Sequence, residues 1–260
     1  MKFITIVCFT FITCRLFAQI DSLHAGVYRS RDNKPVTNGT VVTQKVLSGT
    51  TLDLSHFELN ILTLSENKIY TPPQDDKKSE RLIVVKSGLL TITLGDSTKT
   101  VGPGSLALVL AGDGVKFKNS SSVPVSWYVL NLKSTNENIK RGHDAGSSFI
   151  KDWNSLTATI TPKGETRQVF DRPTTMFERF DVHATVLNNG FNSHDPHTHR
   201  AEELILMING NSQFQIGQAK FHAGVGDAVF MASKIPHAAQ NTGQAPCSYY
   251  AIQWHNLKAD

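Results

Sequence analysis

Apolar and polar positions along the chain form many short runs separated by turn residues. The apolar run Leu204 to Ile208 ends at Asn209-Gly210, a dipeptide typical of hairpin turns. A second run, Ala228 to Ala232, follows the turn Gly224 to Asp227 and precedes a loop from Ser233 to Pro236. Long patterns with the 3.6-residue period of a helix are missing from the sequence. Repeated short strands at close spacing predict an all-β sandwich or barrel.

The pattern occurs twice in the chain. Three pairs of segments share it: Leu47–Leu64 with Phe170–Leu187, Glu80–Gly88 with Glu202–Gly210, and Val101–Asn119 with Ala223–Asn241. The shift between partners is 123 residues for the first pair and 122 for the other two. An internal duplication of this length predicts two copies of one domain.

The two copies run from about residue 22 to 135 and from 150 to 260. Residues 136–149 between them are polar and contain glycine, which is typical of a linker. The duplication and the strand pattern therefore predict two tandem all-β units, each a sandwich or a barrel. Strand edges in such barrels need cover, and Asp21 to Thr43 and Phe149 to Thr166 are the segments available to supply it. A homodimer is a further expectation.

The second half contains a cluster of potential metal ligands with the spacing H-x-H-x-x-x-E, formed by His197, His199 and Glu203. On an extended chain the two histidines point to the same side. Glu203 would then lie roughly 13 Å further along. A shared metal therefore requires the chain to bend near Arg200-Ala201 before a new strand begins at Glu203. His237 is the candidate for a fourth ligand.

These two stretches resemble the two sequence motifs of the cupin superfamily. The first family motif is G-x5-H-x-H-x3-E-x6-G, and the chain matches it at His197, His199, Glu203 and Gly210. Gly190 lies one residue further from His197 than the motif asks. The second motif is G-x5-P-x-G-x2-H-x3-N, which is matched by Gly226, His237 and Asn241, with Ala232 and Lys234 where the family has proline and glycine.

The resemblance implies an all-β bicupin, which consists of two tandem antiparallel jelly-roll-like barrels. It also implies that one divalent metal is bound inside the second barrel. The four ligands that it implies are His197, His199, Glu203 and His237. Three imidazoles and one carboxylate suit Mn, Fe, Ni, Zn or Cu, and donor softness does not choose among them. The side chains proposed to surround the ligands are Gln213, Gln215, Gln240 and Asn241, although a hydrogen bond at a strand end is the favoured role of Asn241. His194 is close enough in sequence to reach the mouth of the barrel.

The first half has lost these ligands. The 122-residue shift places Asp75, Lys77, Arg81 and Val115 at the four ligand positions. Even if Gln74 or Asp76 takes one of them, the set contains no imidazole and a transition-metal site is implausible. The first half is thus predicted to be a degenerate cupin barrel. It either supports its partner or binds a small anion through Lys77 and Arg81.

Met1 to Ala18 has the features of a secretory signal peptide. Lys2 precedes an apolar core from Phe3 to Thr13, and Leu16-Phe17-Ala18 is a plausible cleavage site. The apolar core is too short to span a bilayer, so no membrane span is expected after its removal. The expected location is the periplasm or the outside of the cell. A lipoprotein anchored through Cys14 is the alternative.

Charge and composition exclude some functions. The chain is 40% hydrophobic and 18% charged, as in globular proteins. Loss of Lys2 and Arg15 with the signal lowers the formal net charge from +4 to +2. That charge is too small to indicate nucleic-acid binding, and no basic cluster with interleaved aromatic residues occurs.

Two function classes stay open. The first is a metal-dependent enzyme on a small polar metabolite, for which the resemblance to bicupins suggests an oxygenase, isomerase, decarboxylase or amidohydrolase type of reaction. The second is a non-catalytic protein that binds a small molecule or has a structural role. No catalytic acid or base beyond the four ligands stands out in the sequence, so the reaction itself is not predicted.

Overall fold

A computed structural model describes residues 21–73 and 78–256, in which antiparallel strands dominate. The strands of the first half are β1 (Gly26–Tyr28), β2 (Val36–Asn38), β3 (Val41–Gly49), β4 (Leu54–Leu64), β5 (Ile69–Tyr70), β6 (Glu80–Ser87), β7 (Leu90–Leu94), β8 (Ser97–Val101), β9 (Leu106–Val109), β10 (Val115–Lys118) and β11 (Val125–Ser134). One short helix, α1 (Ile139–Ala145), follows β11.

The second half repeats this arrangement after α1. Its strands are β12 (Phe149–Lys151), β13 (Thr159–Thr161), β14 (Gly164–Arg172), β15 (Arg179–Leu187), β16 (Glu202–Asn209), β17 (Asn211–Ile216), β18 (Ala219–Gly224), β19 (Ala228–Met231), β20 (His237–Gln240) and β21 (Cys247–His255). Short 3-10 turns occur at Ser30–Asp32 and Trp153–Ser155.

Each half consists of a large sheet and a small sheet. In the first half the strand orders are β12-β9-β6-β11-β4-β3-β2 and β5-β10-β7-β8. In the second half they are β1-β19-β16-β21-β15-β14-β13 and β18-β17-β20. The large sheets have the same order strand for strand, as the duplication requires. The predicted all-β fold of two tandem antiparallel jelly-roll-like units is confirmed.

The halves exchange one edge strand each. β1 comes from the start of the chain but pairs with β19 of the second half, with Val27 opposite Val229. β12 follows the linker but pairs with β9 of the first half, with Ile150 opposite Ala107. Both strands belong to the segments expected to cover strand edges. The domain boundaries at 22–135 and 150–260 stay a prediction, because these pairings cross the linker in both directions.

The central strands of each large sheet are buried on both faces. In β6, Leu82 and Val84 belong to a core that also contains residues of the second half, whereas Ile83 and Val85 pack under the small sheet of the first half. A strand covered on both faces needs apolar residues at successive positions, which explains the nearly continuous apolar runs in β6 and β16. The core between the halves includes an edge-to-face pair of Phe57 and Trp254, with ring centroids 5.3 Å apart.

Two buried glutamates link the halves reciprocally. Glu202 of β16 accepts hydrogen bonds from the first half at the Thr51 hydroxyl (2.6 Å) and the Leu52 and Asp53 amides. Glu80 of β6 has the corresponding place in the first half. It accepts hydrogen bonds from the amide and hydroxyl of Thr175 in the second half, at 3.0 and 2.6 Å. Each carboxylate satisfies backbone donors of the opposite half, so the two contacts fix how the halves pack.

The predicted linker 136–149 is not irregular throughout, because it contains α1. The side chain of Asn138 accepts a hydrogen bond from the Arg141 amide at 3.0 Å and caps the helix. The helix then packs closely on the second half, since a Cβ added at Gly142 would lie 2.4 Å from the Thr175 amide nitrogen. Only glycine allows this approach.

The predicted signal peptide, residues 1–18, lies outside the described residues. Across residues 21–73 and 78–256, none of the helices has the length and apolar character needed to cross a membrane.

Candidate metal centre

Backbone pairing brings the three histidines together. The amide of His197 donates to the carbonyl of His237 at 3.2 Å, and the His237 amide donates back at 3.0 Å. His237 is the first residue of β20. The chain bends at Arg200 and Ala201, and β16 begins at Glu202, one residue before Glu203. The bend predicted from the spacing is therefore present where it was expected.

The candidate ligand atoms converge on one point. One ring nitrogen from each of His197, His199 and His237 lies within 4.8 Å of the others. An oxygen of Glu203 lies 3.3 Å from Nε2 of His199 and 3.3 Å from Nε2 of His237. Neighbouring donors that share one ion at about 2.1 Å stand roughly 3 Å apart, so the two 3.3 Å separations from Glu203 fit a common metal.

Two of the imidazoles are held in the tautomer that a metal requires. Nδ1 of His199 lies 2.9 Å from the Ala201 carbonyl, and Nδ1 of His237 lies 2.8 Å from the Ile235 carbonyl. A carbonyl oxygen only accepts, so Nδ1 of each ring is the donor to the backbone, and Nε2 is the nitrogen left to face Glu203 and a metal. Both Nε2 atoms are buried and make no hydrogen bond in the described part of the chain. Buried nitrogens of this kind fit a metal as their missing partner.

The electrostatics keep the carboxylate charged. Burial alone would raise the pKa of Glu203, but contacts with His199 and His237 lower it to about 2. Contact with the Glu203 carboxylate raises the pKa of His199. Burial and three neighbouring histidines, one of them His194, lower the pKa of His197. At neutral pH the cluster therefore offers an ionised carboxylate and a neutral His197 imidazole, as metal binding requires.

The loops that carry the ligands are anchored on both sides. Arg200 forms a two-pronged ion pair with Asp53 of the first half, at 2.9 and 3.0 Å. The amide of Lys234 donates to the His199 carbonyl at 2.8 Å. Lys234 has a φ of 62°, the left-handed conformation that the motif glycine would adopt. Lys234 therefore differs from the motif glycine in residue type but keeps the backbone conformation that the glycine would adopt.

A cavity of about 430 Å³ opens beside the cluster, and His197, Glu203 and His237 line it. Other polar side chains that line it come from β14, β15 and β21 and from nearby loops: Lys163, Glu165, Thr166, His183, Thr185, His194, Tyr249 and Gln253. The cavity thus combines the ligand cluster with donors and acceptors suited to a small polar molecule.

His194 lines the cavity. Its ring is exposed, and its centroid is 4.1 Å from that of His197 in an edge-to-face arrangement. The sequence did not indicate His183 or Gln253 as cavity residues. His183 follows Asp181 and precedes Thr185 at alternate positions of β15, so a test for alternation along that strand could have found it.

The side chains expected around the ligands have other contacts. Gln213 lies 3.3 Å from the His222 ring, Gln215 donates to the Gly217 carbonyl at 3.2 Å, and neither lines the cavity. Gln240 is also absent from the cavity wall. Asn241 is fully buried and donates to the Leu187 carbonyl at 2.7 Å. The favoured prediction for Asn241, a structural hydrogen bond at a strand end, is correct.

The first half has no comparable cluster among the described residues. Arg81 takes the place of Glu203: it pairs with Asn131 on β11, as Glu203 pairs with Gln253 on β21. Val115 begins β10 as His237 begins β20. Asp75 and Lys77, predicted at the other two positions, lie outside the described residues.

Comparison with solved structures supports the class of protein that the fold indicates. A protein described as glyoxylate-induced from Pseudomonas aeruginosa superposes with a TM-score of 0.74 at 17% identity, covering 94% of this chain and 93% of the other. Ylba from E. coli superposes with a TM-score of 0.71 at 14% identity, covering 94% and 97%. The oxalate decarboxylase of Lactobacillus farciminis superposes with a TM-score of 0.70 at 10% identity, covering 93% of this chain and 89% of the other. These identities establish the fold alone.

The sequence comparison matches part of the second half. Residues 184–253 match the family model of the cupin domain. A search of curated proteins gave no match to the chain. Within this fold of two jelly-roll-like units in tandem, residues 184–253 of the second half are similar to a cupin domain.

Proposed function

We propose that the chain binds one divalent transition metal through His197, His199, Glu203 and His237 and acts as a metal-dependent enzyme on a small polar metabolite. The observation that carries the proposal is the pair of buried Nε2 atoms, of His199 and His237, that both lie 3.3 Å from the same Glu203 oxygen. The alternative is a bicupin that binds a small molecule without converting it.

The ligand count supports catalysis over a structural role. Four side chains leave an octahedral ion with open positions, whereas the same four would close the coordination of a tetrahedral zinc. When bound, a divalent ion supplies a Lewis acid that polarises a substrate oxygen or lowers the pKa of bound water. The cluster faces the 430 Å³ cavity, so a molecule held there reaches the ion directly.

Residues of the chain would hold and orient that molecule. Lys163 is positioned at the cavity by its hydrogen bond to the Ser193 carbonyl at 3.0 Å. Its ammonium group suits an oxygen-bearing anionic group of the substrate. Gln253 and His183 lie on neighbouring strands and offer hydrogen bonds at the same wall. These groups favour an organic acid, sugar derivative or ureide as the substrate class.

The metal is tested first. Elemental analysis of the purified protein should give about one transition metal per chain, and His199→Ala should lose most of it. His222→Ala is the matched control, because His222 lies on β18 away from the cluster and should leave the metal in place. Mn is the first metal to load, since one solved structure with this fold, the oxalate decarboxylase of Bacillus subtilis, is described with Mn(II) centres. Two metals per chain, or none after reconstitution, would contradict the proposal.

Catalysis is tested by turnover. Protein loaded with Mn, Fe, Ni, Zn or Cu is offered a panel of small organic acids, sugar derivatives and ureides, with His237→Ala as the inactive control. Turnover that disappears in the control supports an enzyme. Tight binding of a metabolite without turnover under any metal supports the non-catalytic alternative.

We also propose that the protein is exported to the periplasm or the outside of the cell and forms a homodimer. The support for export is the order of Lys2, the apolar stretch and Leu16-Phe17-Ala18. N-terminal sequencing of the native protein should begin near Gln19, and a retained Met1 would contradict export. A molar mass equal to that of the monomer, measured by light scattering, would contradict the homodimer.

A further inference from the structure

The loop before His197 is longer than the motif requires. Gly190 lies one residue further from His197 than the motif asks, so the additional residue falls between the two. This stretch contains another histidine, His194, which is exposed and lines the cavity beside the ligand cluster. The four proposed ligands give His194 no role.

Backbone pairing holds His194 next to the cluster. The Ser193 amide donates to the Ala239 carbonyl at 2.9 Å. The His197 amide donates to the His237 carbonyl at 3.2 Å. The two acceptors are two residues apart on β20, a span of roughly 7 Å, whereas the four steps between the two donors would cover roughly 13 Å on an extended chain. The chain between the donors must therefore bulge, and His194 is the first residue of the bulge.

The His194 ring is as close to His197 as the predicted ligands are to one another. Its centroid lies 4.1 Å from that of His197 and 6.2 Å from that of His237. The three predicted ligand rings have centroids 4.8 to 5.2 Å apart. An imidazole bound through Nε2 at about 2.1 Å has its centroid roughly 3.2 Å from the ion, so two bound rings at a right angle stand roughly 4.5 Å apart. The distance to His197 is therefore that of a co-ligand, and the longer distance to His237 shows that the ring has to turn toward the cluster to share an ion.

One backbone carbonyl orients both His194 and His197. Nδ1 of His194 lies 3.0 Å from the Asp195 carbonyl, and the backbone of Asp195 also forms a hydrogen bond with the His197 ring. The carbonyl only accepts, so Nδ1 of His194 is the donor, and Nε2 is the nitrogen left for another partner. Backbone carbonyls restrain the rings of His199 and His237 in the same manner. His194 thus shares the arrangement that prepares an imidazole for a metal.

The Glu203 carboxylate and His194 approach different members of the cluster. One oxygen of Glu203 lies 3.3 Å from Nε2 of both His199 and His237. His194 instead packs against the ring of His197. Imidazole is a ligand that Fe, Ni, Cu and Zn all accept. His194 therefore brings a fifth suitable donor to the cluster without competing with Glu203 for the same side.

We propose that His194 is a fifth protein ligand of the metal and that it binds through Nε2 once its side chain turns toward the cluster. This inference rests on the proposed metal centre and adds to its ligand set. An octahedral ion would then have one position left for a small molecule. Because the ring is exposed and lies in a loop, it can turn without displacing buried side chains. The lengthened loop before His197 supplies this ligand.

The bound histidines are counted by carbon-13 NMR of the nickel-loaded full-length protein with labelled histidine rings. The unpaired electrons of Ni²⁺ reach a ring mainly through the bond to its nitrogen, so the carbons of each bound ring move far outside the normal range. We expect four shifted histidines in the wild type and three in His194→Ala. His222→Ala is the matched control, because its ring is also exposed but lies on β18, and it should keep all four.

Metal content and affinity are measured on the same samples. His194→Ala should retain about one nickel per chain, and competition with a chelator should show affinity at least tenfold weaker than that of the wild type. His222→Ala should stay within twofold. Circular dichroism checks folding, and His194→Gln replaces His194→Ala if the alanine variant does not fold.

The outcomes separate this inference from the metal centre itself. Wild-type protein with one nickel and only three shifted histidines would overturn the role of His194 and leave the proposed centre intact. An unchanged count in folded His194→Ala would do the same, even if its affinity were lower, because residues outside the coordination sphere also affect affinity. Failure of the wild type to bind nickel or any other divalent transition metal would overturn both proposals.

Discussion

Replacing Glu80 by glutamine should reduce the loss of folding stability that occurs as the pH rises. Glu80 is completely buried, and burial raises its pKa from 4.5 to about 7, in spite of hydrogen bonds from Thr175 that act in the opposite direction. One of its oxygens, Oε1, has no hydrogen-bond partner in the described part of the chain. Arg172 is the cation close enough to interact with it, and burial lowers the pKa of that guanidinium.

The magnitude follows from proton linkage. A carboxyl group whose pKa is higher in the folded than in the unfolded state gives stability that is fully present below pH 4.5 and is lost as the pH rises through 7. One pKa unit corresponds to about 1.4 kcal/mol, so full ionisation of Glu80 costs about 3 kcal/mol. The side chain in Glu80→Gln does not ionise, so the variant does not lose this free energy of unfolding. The variant should match the wild type at pH 4.5 and exceed it by about 3 kcal/mol at pH 8.

The assay is urea denaturation of both proteins at several values between pH 4.5 and 8, followed by intrinsic tryptophan fluorescence. The difference between the two free energies of unfolding isolates Glu80, because every other titrating group is common to both. Glu202→Gln is the contrasting variant. Its carboxylate accepts four hydrogen bonds across both oxygens, so the amide should destabilise the fold by about 1–3 kcal/mol. A difference between wild type and Glu80→Gln that stays constant with pH would refute the reasoning.

Three further predictions use matched positions in the two halves or in the metal cluster. Lys234→Gly should stabilise the fold by about 1 kcal/mol, because Lys234 has a φ of 62° and the equivalent residue of the first half, Gly112, has a φ of 96°; an unchanged or lower urea midpoint would contradict this. Treatment with EDTA should lower the melting temperature of the wild type but leave that of His199→Ala unchanged, since a ligand that binds only the folded state stabilises it; equal shifts in both would argue against the cluster. Asn241→Ala and Asn119→Ala should each lower the free energy of unfolding by about 2–3 kcal/mol, because each buried amide bridges carbonyls at its strand end. Elemental analysis should show that folded Asn119→Ala retains the metal.

Much of the fold was predictable because burial restricts the sequence on both faces of each large sheet. Leu204 to Ile208 lies within β16, and the run has nearly uniform apolar character because both sides of that strand are covered. The same restriction in β6 made the duplication visible. The spacing of His197, His199 and Glu203 also predicted the bend at Arg200-Ala201, since an extended chain could not bring the three together.

The features that were not predicted depend on contacts between distant parts of the chain. β1 and β12 are three residues long, and nothing in so short a run specifies which half it will pair with. Helix α1 is also short, and its stability comes from the Asn138 cap and from close packing of Gly142 on Thr175. The cavity residues His183 and Gln253 lie far apart in sequence and meet through the pairing of β15 with β21.

The exchange of β1 and β12 makes the two halves one unit for folding. A chain cut within residues 136–149 would give a first half without the strand that covers β9 and a second half without the strand that covers β19. Each fragment would expose an unpaired strand edge together with the apolar sheet face that packs against the other half. Neither half is therefore an independent module that could be moved to another protein, and the candidate metal centre belongs to a sheet that a strand from the opposite end of the chain completes.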